Sequence, residues 1–275
     1  MFEIIFLIAL AIIWMSFGSI QDLRQREISN WLNFSLIIFA LAFRFFYSLF
    51  NSENFLFFYQ GLIWLGIFFV VGNLFYYSRL FAGGDAKLMI SLGAILGFTN
   101  SFFQNLKISG LFLLIFLFVG GIYGMVWSLV LSLRNFKNFQ QEYKNIFAEN
   151  KKIINLVSLI GLIIFVLSFI NSLFFVLGIF VFLLPHLYIY AKAVDESCMI
   201  KEVFPKKLTE GDWLYKSVKI NGKIINARWE GLNKKEIQLL QKSDKKILIR
   251  NGIAFIPVFL ISFLILIFVW FVVIN

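Results

Sequence analysis

Two aspartates stand where an acidic side chain has a chemical use. Asp22 lies in Gln21-Asp22-Leu23-Arg24-Gln25-Arg26-Glu27-Ile28-Ser29-Asn30, directly after the first apolar run. Asp85 lies in Phe81-Ala82-Gly83-Gly84-Asp85-Ala86-Lys87-Leu88, directly after the third. A carboxylate at the edge of hydrocarbon is costly to keep, so one placed there is a functional hypothesis by default. Two of them on different helices can share one proton and one water, which is aspartic-protease chemistry. Each also has a plainer reading. Asp85 can cap the helix that it opens. Asp22 can belong to an interfacial charge cluster with Arg24, Arg26 and Glu27 that stops the first helix. A cap and a catalytic role are compatible, because a helix N-terminus favours an anion. Gly83 and Gly84 permit a tight turn and a close backbone approach. Lys87 can orient a carboxylate or a substrate carbonyl, or extend to the interface.

The elements that must position these residues are membrane spans. The 275 residues are 60% hydrophobic, with 37 phenylalanines and a mean hydropathy of +0.86. That composition points to an all-α polytopic membrane protein. Apolar runs fall at about 4–20, 31–50, 55–77, 86–103, 109–133, 153–170, 173–191 and 252–274, giving about eight transmembrane helices, with six or seven as the alternatives. The fourth is short. Its apolar core, Ala86 to Phe98, must borrow Thr99 to Phe103 or begin below the membrane surface. The stretch 153–191 is too long for one span, and Asn171-Ser172 offers a turn, so it reads as a helical hairpin with Pro185 kinking its second arm. Arg44, near the outer end of the second span, is expected to snorkel. The pairs Gly93/Gly97 and Gly120/Gly124 read as close-packing helix faces.

With the N-terminus outside, the segments 21–30, 78–87, 134–152 and 192–251 face the cytoplasm and hold 23 of the 25 basic residues, all but Arg44 and Lys107. Both aspartates then lie on the cytoplasmic side. The net charge of +10 reads as topology and as attraction to anionic lipid headgroups, not as a nucleic-acid surface. Five divisions result: a membrane core 1–133 with both aspartates, a basic cytoplasmic loop 134–152, the hairpin 153–191, a small cytoplasmic α+β subdomain 192–251, and a last helix 252–275. Within the subdomain, Trp213 to Ile225 is β-like with a turn at Asn221-Gly222, and Asn233 with Glu236 caps a short helix over 234–242. One cysteine (Cys198) and one histidine (His186) supply no metal or haem centre. His186 reads as a buried, hydrogen-bonded side chain. The first span is expected to be retained, since Met1-Phe2-Glu3 lacks a basic leader.

Asp22 in Asp-x-Arg-x-Arg-Glu-Ile-x-Asn, followed by Gly-Gly-Asp-x-Lys-Leu, resembles the type IV prepilin peptidase family of membrane aspartyl proteases, which share Gly-x-Gly-Asp. Glu210-Gly211-Asp212-Trp213-Leu214, Gly231-Leu232 and Asn251-Gly252-Ile253-Ala254-Phe255-Ile256-Pro257 resemble its archaeal branch, the preflagellin (prearchaellin) peptidases. The resemblance covers 1–130 and 200–275. It departs at Ala82, which stands for the first glycine of the motif and excludes positive φ. The bacterial branch's cysteine-rich zinc domain has no counterpart in this single-cysteine chain.

The resemblance implies a protease that cuts the short basic leader from archaellin or pilin-like precursors on the cytoplasmic side. Asp22 and Asp85 would be the catalytic pair, Gly83, Gly84 and Lys87 would support it, and no cofactor or metal would be needed. The partners would be the precursor, with its basic leader and hydrophobic helix, and membrane lipids. A proton- or cation-coupled transporter using the same two acids is the alternative, and a non-catalytic scaffold is a third. Before substrate binds, the two carboxylates are expected to stand too far apart to share a water.

Overall fold

In lipid only an intrasegment hydrogen-bond ladder satisfies the backbone, so long apolar runs become helices. The computed structural model describes residues 2–50, 55–220, 223–243 and 245–274. Six helices among them are long and apolar enough to cross a membrane. They are α1 (Phe2–Gln25), α2 (Asn30–Phe50), α3 (Leu56–Tyr77), α5 (Phe102–Arg134), α6 (Phe136–Val166) and α7 (Leu173–Cys198). Two apolar helices, α4 (Gly83–Leu96) and α9 (Ile256–Val269), are shorter. Short strands and one small helix occupy the region between α7 and α9. The protein is therefore a mostly helical, polytopic membrane protein with a small strand region near its C-terminus.

The chain divides into two compact units. One comprises the residues up to Gly124 and those from Ile253 onward. Its core element is α4, which touches α1, α2 and α3 and buries Leu88, Met89, Leu92, Ala94, Ile95 and Leu96. Small residues let α3 and α4 meet backbone to backbone. A Cβ at Gly93 would lie 2.6 Å from the Trp64 carbonyl oxygen. The glycine pairs behave unequally: Gly93 and Gly97 face α3, and Gly120 faces Phe255, whereas a Cβ at Gly124 would meet nothing within 4 Å.

The fourth span ends earlier than its composition suggests. The 14 residues of α4 rise about 21 Å, short of a ~30 Å hydrocarbon core. The chain then turns irregularly to Ser101 before α5 begins. Asn105 stabilises this turn. Its Oδ1 accepts the Thr99 backbone N–H (2.9 Å), and its Nδ2 donates to the Thr99 carbonyl (2.7 Å) and to Gln60 Oε1 (3.0 Å). Arg44 corrects the expectation of snorkelling. It is wholly buried, because its guanidinium meets backbone carbonyls at the end of α4.

Two helix stops carry arginine in the left-handed conformation, at Arg26 (φ 60) and Arg79 (φ 62). Arg79 occupies the position where glycine usually ends a helix. Its N–H bonds the Tyr76 carbonyl, and the Leu80 N–H bonds that of Phe75. The Arg26 N–H closes α1 on the Asp22 carbonyl at 2.8 Å. A side chain at such φ costs about 1–3 kcal/mol.

The second unit runs from Met125 to Gly252. In it α6 and α7 form a hairpin across a turn at 170–172. Gly161 and Gly178 let the arms touch, since a Cβ at either would lie 2.5–2.6 Å from the partner arm's backbone nitrogen at Phe182 or Phe165. Pro185 lies inside α7, and His186 Nε2 lies 3.4 Å from Ser158 Oγ. Residues 136–152, read from the sequence as a basic loop, are the first half of α6.

Strands β1 (Ile200–Val203), β2 (Trp213–Leu214) and β5 (Ile247–Arg250) pair antiparallel in the order β1-β5-β2, and β3 (Val218–Ile220) pairs with β4 (Lys223–Ile225). The turn expected at Asn221-Gly222 lies outside the described residues. Asn233 and Glu236 form the expected reciprocal cap on α8 (Lys234–Leu240). The two glycine-containing segments of the archaeal resemblance meet here. Gly211 N–H bonds the Leu232 carbonyl and Leu232 N–H bonds that of Asp212, both at 2.9 Å. Gly211 and Gly231 have positive φ, and a Cβ on Gly231 would lie 2.2 Å from the Gly211 oxygen.

Candidate active site

Asp22 lies in the last turn of α1 and Asp85 in the first turn of α4, and these two helices touch. Asp22 is 6% exposed. Its Oδ2 accepts the backbone N–H of Ile256 at 2.9 Å. Ile256 and Pro257 are the first residues of α9. Proline at a helix start is favoured because the first N–H groups have no intrahelical acceptor. Those free N–H groups point at an anion, and Asp22 supplies it. The Arg26 charge also acts on Asp22, and the Asp22 charge reaches the Tyr123 phenol on α5.

Asp85 is the third residue of α4. Its Oδ2 accepts the backbone N–H of Ala82 at 3.2 Å. Alanine has no oxygen to return the bond, so only the acidic half of a reciprocal cap is made. Ala82 itself sits at φ −70, ψ 163, an extended conformation open to any residue. Alanine in place of the motif's first glycine therefore costs the backbone nothing.

Gly83 and Gly84 do not make a tight loop. They are the first turn of α4. A Cβ on Gly84 would meet Ile28 at 3.8 Å and one on Gly83 would meet Tyr76 at 3.9 Å, both ordinary contacts. Neither φ nor packing requires glycine there. What these residues leave is bare backbone beside Asp85. Lys87 donates to Asn30 Oδ1 at 2.6 Å, tying α4 to the start of α2. Gln21 bonds Ser29 through both its Oε1 and its Nε2, closing the turn between α1 and α2.

The structure thus brings together Asp22, Asp85, the N-terminus of α9 and the α1–α2 turn. The charge on Asp22 acts on Asp85. Each carboxylate is also held by a backbone N–H from a different segment. The Ile256 donor carries no side-chain signature in the sequence; Pro257, which marks the helix start, is the signal that points to it. Among the described residues no group of three or more His, Cys, Asp or Glu is placed to hold a metal ion.

Two acids at the adjoining ends of two helices could together give and take protons at that end. Residues 9–129 match the model of the Type IV leader peptidase family, a stretch that includes both aspartates. The match supports a membrane protease that cleaves leader peptides from precursor proteins. Comparison with curated proteins gave no match, and neither did comparison with solved structures.

Proposed function

We propose that this protein is a membrane aspartyl endopeptidase that removes the short basic leader from archaellin or type IV pilin-like precursors on the cytoplasmic side, with its N-terminus outside. One observation carries the reading: the family match spans Asp22 and Asp85, two acids on helices that touch.

In this reading a water sits between the carboxylates. The ionised member takes a proton from the water as its oxygen bonds to the scissile carbonyl carbon. The protonated member gives its proton to the carbonyl oxygen, and a tetrahedral diol forms. As the C–N bond breaks, the carboxyl that took the water's proton gives it to the leaving nitrogen, and one diol hydroxyl returns its proton to the other carboxylate, leaving a carboxyl group. Bare backbone at Gly83 and Gly84 admits the extended substrate strand. No metal or organic group enters the scheme.

The test is cleavage by purified protein in detergent of a peptide carrying a basic leader and a hydrophobic helix. A single cut just before the hydrophobic stretch is expected. Intact peptide, together with proton-coupled cation flux in liposomes, would replace the protease by a transporter.

A further inference from the structure

Arg44 is used by nothing in this chemistry, yet it is held with unusual completeness. Nε donates to the Ala94 carbonyl (2.9 Å), Nη2 to those of Ile95 (3.0 Å) and Gly97 (2.8 Å), and Nη1 to that of Phe57 (2.8 Å). The Phe57 ring lies under the guanidinium, 4.4 Å away. Gly61 leaves the space for its stem, since a Cβ there would lie 2.5 Å from Arg44 Cδ. Three of the four bonds end on the last carbonyls of α4 or just past it. Those carbonyls have no intrahelical donor and carry the negative end of the helix dipole. The planar fork of arginine reaches several at once, which lysine cannot do.

The other end of the same short helix carries Asp85. Ala94 is nine residues further on, about 14 Å at 1.5 Å per residue. Sliding of this short helix along its axis would break three bonds at Arg44 together. We propose that Arg44 is a positioning residue: it sets the height at which α4 presents Asp85 to Asp22. This rests on the reading of the two aspartates as a proteolytic pair. Its structural part is measurable without catalysis.

The test uses the full chain in a Cys198→Ser background, with spin labels on Leu23→Cys and Ala82→Cys, one beside each aspartate. Label distances are recorded without substrate, and kcat and KM are measured on unlabelled protein. Arg44→Lys should shift or broaden the distance distribution and lower kcat by about 10- to 100-fold, the cost of a roughly 1 Å misplacement, with KM nearly unchanged. Gly61→Ala, which displaces Arg44 and keeps its charge, should act in the same direction. Unchanged distances and kcat in both variants would overturn the proposal, as would a fall in thermal stability alone. If both variants lose the folded bundle, Arg44 is a folding determinant and the positioning role is wrong. If the parent protein cleaves no leader peptide, the protease reading falls, and the label distances still decide whether Arg44 positions α4.

Discussion

The carboxylate of Asp22 accepts the backbone N–H of Ile256 at 2.9 Å, across 234 positions of chain. The donor lies outside the stretch 9–129 that matches the peptidase family. The last helix therefore contributes a donor to the candidate site. Replacing Ile256 by proline removes that N–H at a helix position where proline is tolerated. Cleavage by Ile256→Pro is expected to fall at least about tenfold, the worth of one charge-assisted hydrogen bond. Ile256→Ala, which keeps the N–H, should retain most activity. Equal activity in both variants would remove α9 from the site.

The aspartates themselves are the sharper test. Asp22→Asn and Asp85→Asn should each abolish cleavage while membrane insertion stays intact. Glutamate at either position should fail by about 10²-fold, because the added methylene moves the carboxyl by roughly 1 Å. Full turnover in either Asn variant would end the aspartyl mechanism.

The glycines divide into two kinds. Gly84→Ala and Gly83→Ala meet only ordinary contacts and add helix propensity worth about 0.5–1 kcal/mol, so thermal stability should hold or rise while cleavage drops. Gly93→Ala drives a Cβ to 2.6 Å from the Trp64 carbonyl oxygen and should destabilise by about 1–3 kcal/mol. Thermal unfolding and peptide cleavage, measured on the same preparations, separate the two effects.

Orientation can be read by labelling. Cysteines at Asn100 and Lys219, each in a Cys198→Ser background, occupy exposed positions. With the N-terminus outside, the first should react with an impermeant reagent in intact cells and the second only after lysis. External reaction at 219 would reverse the placement of the second unit.

Asp212 provides a pH test away from the membrane helices. Burial pushes its carboxyl above the ordinary value, against the hydrogen bonding of Thr209, whose N–H it accepts at 2.8 Å. The folded state thus holds this proton more tightly than the unfolded state. Stability of the strand region should rise as pH falls through the folded pKa, and the gain should be complete below the unfolded value. Asp212→Asn keeps an oxygen for the Thr209 N–H and should remove this dependence. Hydrogen exchange of peptides from 205–250 is the measurement. An unchanged pH dependence in the variant would show that another group is responsible.

Much of this arrangement is legible in the sequence, for reasons that also explain the gaps. Long apolar runs announce α1, α2 and α3 directly, and Asn171-Ser172 marks the α6–α7 turn. Asp22 and Asp85 stand out because charge beside hydrocarbon is rare. The end of α4 is not legible, because it is set by Arg44 from 50 positions away. Strands β1 and β5 are four residues each, too short for a period to declare itself, and β5 is recognisable only once its alternate residues Ile247 and Ile249 are seen buried. The first half of α6 looks like a surface loop by charge, yet it continues an apolar helix without interruption.

The fit between Arg44 and Gly61 has a consequence for how such chains can change over time. The two positions act as one heritable unit. A methyl group gained at 61 would lie 2.5 Å from Arg44 Cδ and so must displace the arginine stem. An arginine seated at 44 as it is here needs 61 bare. Filling position 61 therefore weakens the hold on the carbonyls of Ala94, Ile95 and Gly97 unless another donor reaches them.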